Sequence, residues 1–64
     1  MNEKAVEKFM SKTTEARELL AAIQAEIDDH MNTNPDTLHW GHVGDATHVV
    51  ESLRDIARFM GHAE

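Results

Sequence analysis

From Asn2 to Met31 the chain carries no glycine and no proline, and its apolar residues recur at alternating intervals of three and four. Val6, Phe9, Thr13, Ala16, Leu20, Ile23 and Ile27 form that series, with Thr13 and Ala16 as small members. A spacing of this kind places the side chains in one stripe along a helix and suits helices packed at a shallow angle. Good helix formers fill the remaining positions. The pattern predicts one long helix over about residues 2–31, with Asn2 as its N-cap and Glu3 favourably placed in the first turn. Met10 and Leu19 flank the stripe and widen it, while Glu7, Ser11, Glu15, Glu18, Asp28 and Asp29 fall on the outward face.

The helical pattern stops at Asn32-Thr33-Asn34-Pro35-Asp36. Pro35 disfavours helical angles at Asn34, and Asn and Asp hydrogen-bond readily to turn backbone. A second helix is expected over about residues 40–60, with Val43, Ala46, Val50, Leu53, Ala57 and Met60 in its stripe and Val49 and Ile56 beside it. His39 or Asp36 would cap a start at Trp40, which Val43 favours because it already keeps the stripe's spacing. Asp45 would cap a later start. Gly61 is placed to end the helix.

If the chain reverses at Pro35, the two stripes face each other layer by layer: Ile27 with Val43, Ile23 with Ala46, Leu20 with Val50, Ala16 with Leu53, Thr13 with Ala57 and Phe9 with Met60. Large residues then meet small ones, as interdigitated packing prefers. The expected fold is therefore all-α, a single antiparallel helical hairpin spanning residues 1–64. A chain of 64 residues hides only a modest part of its surface alone, and this one has no cysteine with which to form a disulfide or thiolate metal site. Met10, Leu19, Val49 and Ile56 are left over by the hairpin. Their burial against a second copy would complete a four-helix bundle in a two-fold homodimer.

Twelve acidic residues against six basic ones give a net charge of −6, which opposes generic binding to nucleic acid or to anionic membranes. No apolar run reaches the length of a membrane span, and no signal-peptide core follows Met1, so the sequence reads as a cytoplasmic protein. Catalysis is not expected: Cys is absent, and Ser11 and Ser52 lie in ordinary helical contexts without a base beside them. The reading is a small non-enzymatic interaction or accessory protein, with no cofactor and with a further protein partner left open.

Three features stand beside this reading. Continuing the hairpin register places His30 opposite His39, a pair that would be pH-responsive or, doubled in a dimer, would offer four imidazoles to a metal. The plainer alternative has each histidine capping its own helix end in solvent. His39 and His42 have ligand-like spacing, with His48 further on, but no carboxylate completes a zinc signature, and no metal is expected. Gly41 and Gly44 lie away from the stripe, where each costs about 1 kcal/mol relative to Ala. Close approach of another chain is the leading explanation, ahead of an irregular loop or an anion received by free N–H groups. Trp40 is read as a plug at the turn end of the core or, alternatively, as an interface anchor. Together Trp40, Gly41 and Gly44 are the candidate partner contacts.

Lys4, Lys8 and Lys12 form the basic stripe of the first helix, read as solvated and matched by Glu7 and Glu15. In length and expected architecture the chain resembles the Rop-like plasmid copy-number proteins, hairpins that dimerise and bind RNA on their paired first helices. The resemblance covers size and shape and no residue motif. It implies a regulatory RNA-binding hairpin as an alternative function, with the lysine stripes of two copies side by side.

Overall fold

A computed structural model of the chain describes residues 2–62. It is all-α: helix α1 spans Glu3–Asp28 and helix α2 spans Trp40–Phe59, separated by two short 3₁₀ turns at His30–Asn32 and Pro35–Thr37, with no strand among the described residues. The chain divides between Asn32 and Thr33 into two units, one around each helix. No helix of the described residues is long and apolar enough to cross a membrane.

α1 begins where its sequence provides an acceptor. Asn2 is extended, and its side-chain Oδ1 accepts from the Ala5 backbone N–H at 3.0 Å, which satisfies one of the donors a helix start leaves over. Thr13 sits in the apolar stripe at little cost, because its hydroxyl donates to the Met10 carbonyl at 3.0 Å and only its methyl is left to pack. Lys12 meets Glu15 at 3.0 Å in an exposed ion pair, so the end of the lysine stripe is matched as the sequence suggests. Taken singly, neither α1 nor α2 buries any residue. The large apolar side chains of the α1 stripe are all exposed.

The first helix ends three residues earlier than its pattern predicts. Asp28 and Asp29 bring negative charge to the negative end of the helix dipole, and no basic residue occupies the last turn. His30, Met31 and Asn32 then take φ values of 55°, 56° and 57°, a single left-handed turn closed by the Asn32 N–H donating to the Asp29 carbonyl at 3.0 Å. Left-handed angles cost a side chain-bearing residue about 1–2 kcal/mol, least for Asn. His30 therefore lies in this turn, beyond the helix end that it was expected to cap.

The Pro35 turn has the cause read from the sequence. Asn34 is extended, its Oδ1 accepts from the Asp36 N–H at 2.9 Å and its carbonyl accepts from the Thr37 N–H at 3.0 Å, with Pro35 in the first turn position. At its other end α2 closes in a Schellman arrangement. His62 N–H donates to the Ala57 carbonyl at 2.9 Å, and Gly61 N–H donates to the Arg58 carbonyl at 3.0 Å, with Gly61 at φ 89°. Replacing Gly61 with Ala puts a Cβ at that angle and should destabilise the end of α2 by about 1 kcal/mol. Faster amide exchange at His62 and Gly61 would report it, and unchanged exchange would contradict it.

Candidate functional site at the start of the second helix

Leu38 and His39 are both extended, and the helix begins at Trp40. This settles the start of α2 in favour of the position that Val43 indicated, and it excludes an irregular loop through Gly44. What holds the first turn is a reciprocal pair of histidines. The Gly41 N–H donates to His39 Nδ1 at 3.0 Å, and the His39 N–H donates to His42 Nδ1 at 3.2 Å. The two rings lie over each other with centroids 4.0 Å apart and planes inclined by 33°. This is the logic of a capping box, in which Ser or Thr at the cap and Glu or Gln three residues on exchange hydrogen bonds with each other's backbone. Here imidazole nitrogens replace both oxygens.

The cap also accounts for Gly41. A Cβ built there would lie 2.7 Å from His39 Cε1 and 2.9 Å from His39 Nδ1, so any side chain would push the ring off the helix end. No second chain is needed to explain this glycine. Gly44 differs, since a Cβ there would meet nothing within 4 Å. Replacing Gly44 with Ala should stabilise α2 by about 0.5–1 kcal/mol through helix propensity, seen as a rise in melting temperature. A fall would mean that a partner's backbone lies against this position.

Several donors and a ring acceptor at the start of α2 are engaged within the turn itself. Gly41 N–H is taken by His39 Nδ1, and the His42 and Val43 N–H groups donate to the His39 carbonyl at 2.9 and 3.4 Å. A metal on His39 would need a ring lone pair. A neutral imidazole has one, and at His39 it accepts from Gly41. His30 lies in the unit that ends at Asn32 and His39 in the unit that follows. Among the described residues no group of three or more His, Asp or Glu is placed to hold a metal ion.

Beside the cap lies an open hollow lined by Leu38, His39, Trp40 and Val43. Within the unit around α2, Trp40 is 85% exposed. Met10, Leu19 and Ile56 are exposed as well, and Val49 is half-buried. At about 100° per residue, Met10 and Leu19 fall on opposite edges of the α1 stripe, about 180° apart. On α2, Val49 and Ile56 lie on one edge and Trp40 on the other.

Two features escaped the sequence reading. The histidine exchange was missed because histidine is not among the usual capping residues, although the spacing of three between His39 and His42 was visible. Phe59, 90% exposed, was passed over because it lies off the stripe. Its place three residues after Ile56 extends the flanking series. No protein-family model, no curated protein and no solved structure matches this chain.

Proposed function

We propose that the chain is a small non-enzymatic interaction protein that acts as a homodimer. In this reading α1 and α2 close into an antiparallel hairpin, and two hairpins bury their remaining apolar edges in a four-helix bundle. One observation carries the proposal. The apolar band of α1 has two edges, Met10 and Leu19, and both are exposed. Within one hairpin α1 gains a single neighbour, α2, and one neighbour covers one edge. The other edge needs a helix from elsewhere, and a second copy supplies it with the same apolar composition and the two-fold symmetry that small oligomers favour.

Size and chemistry support the same reading. Two helices touching along one seam bury little apolar surface, and these 64 residues hold no Cys to add a disulfide, so association is the stabilisation this reading assigns them. Val49 and Ile56 of α2 would meet Met10 or Leu19 of the second copy. Trp40, at the turn end and on the opposite edge of α2, is the candidate anchor for a further protein partner. A cytoplasmic location fits a chain without cysteine and belongs to the proposal.

A mixture of isotope-labelled and unlabelled chains tests the interface. Intermolecular nuclear Overhauser contacts are expected from the Val49 and Ile56 methyl groups to Met10 or Leu19. If the only intermolecular contacts involved residues outside these four, or if none appeared, the proposed bundle would be wrong.

A further inference from the structure

We propose that the first turn of α2 is an acid-opened latch, closed by His39 and His42 as neutral rings and released when either takes up a second proton. Both histidines use Nδ1 as an acceptor, His39 from the Gly41 N–H at 3.0 Å and His42 from the His39 N–H at 3.2 Å. A neutral imidazole has one acceptor nitrogen and one N–H, so this geometry assigns the Nε2–H tautomer to both rings. An imidazolium has two N–H groups and no acceptor. Protonation therefore removes the acceptor outright and sets an N–H against the backbone N–H it formerly received.

Two further effects act in the same direction. A positive ring at a helix N-terminus opposes the helix dipole. Two positive rings with centroids 4.0 Å apart repel each other. The acids nearest along the chain are Asp36, in the preceding 3₁₀ turn, and Asp45, three residues after His42 on α2, and His48 is the next titratable ring along the helix. Among the described residues no ion pair joins Asp36 or Asp45 to either ring. A carboxylate there attracts an imidazolium but returns no lone pair to the backbone N–H groups, so it cannot restore the cap. The open turn accepts protons that the closed one cannot, so the latch is held while both rings are neutral and is lost as acid protonates them.

The latch controls what the turn presents. Trp40 and Val43 line the hollow beside His39, and both lie in the turn that opening frees. Gly41 is the residue that lets the device exist, because a side chain there would meet the His39 ring.

The test uses the full chain labelled with nitrogen-15. At about pH 7.5, long-range ring correlations should show His39 and His42 as Nε2–H tautomers, and the sample is then taken down to about pH 5. Over the same interval, amide protection at Gly41 and Val43, referred to the intrinsic rate at each pH, should fall about five- to ten-fold, the size of a lost cap. In His39→Asp/His42→Gln, a capping box without imidazoles, the fall should be less than about two-fold. Equal loss in both proteins, no loss in either, or an Nδ1–H tautomer at either ring overturns the proposal. Should the double variant not fold, the tautomers of the unmodified chain decide the matter alone.

Discussion

Replacing Ile56 with Asp should dissociate the assembly and, with it, remove most of the helical circular dichroism at micromolar concentration. Within the unit around α2 Ile56 is 55% exposed on the edge of the helix, where a carboxylate would find water and cost little beyond a small change in helix propensity. In the proposed bundle the same position faces the apolar surface of a second copy. A carboxylate there loses its hydration without a partner charge, a penalty of several kcal/mol, incurred twice in a symmetric dimer. About 4 kcal/mol corresponds to roughly a thousand-fold weaker association. Because the two situations differ so widely, the variant separates them cleanly. A folded variant with the melting temperature of the unmodified chain would show that Ile56 faces solvent.

Leu20→Ala carries the second large effect, and here even the sign depends on whether the helices pack. Leu20 lies in the middle of the α1 stripe, and within the unit around α1 its side chain is exposed. On an unpacked helix the substitution should be neutral or slightly stabilising, because Ala is the best helix former. In the hairpin register Leu20 packs opposite Val50, and in the bundle it is enclosed. Truncation then leaves a cavity and should cost about 2–4 kcal/mol per chain. Urea denaturation reads the difference as a lower midpoint with a similar slope. An unchanged or higher midpoint would mean that the α1 stripe is not a core.

The secondary structure was legible because its causes are local. The stripe from Val6 to Ile27, the caps at Asn2 and Gly61 and the turn at Asn34-Pro35 each follow from a few neighbouring residues, and the structure forms each of them. The end of α1 was harder to place. Helix formers continue past Asp28, and what stops the helix is the balance of two aspartates against the dipole and a left-handed turn that no glycine announces. The sequence places the start of α2 at Trp40 with His39 among the candidate caps, and the structure agrees, but the ring that completes the cap, His42, is not evident from spacing alone. His42 is one helical turn from His39 and needs no tertiary contact to reach its backbone. Gly41 was read as room for another chain because the ring that fills that room belongs to its own neighbour. Phe59 shows the other limit, since it lies off the apolar stripe and residue spacing gives it no role.

Sedimentation equilibrium of the unmodified chain at neutral pH, over a range of micromolar concentrations and alongside circular dichroism, tests the homodimer most directly. The expected mass is twice that of the 7.2 kDa chain, with helical signal and mass falling together on dilution, because the exposed edges at Met10, Leu19 and Ile56 are held to be covered by a second copy. A single-chain mass at every concentration, with full and cooperative helical structure, would contradict the proposal that these edges form an interface between copies.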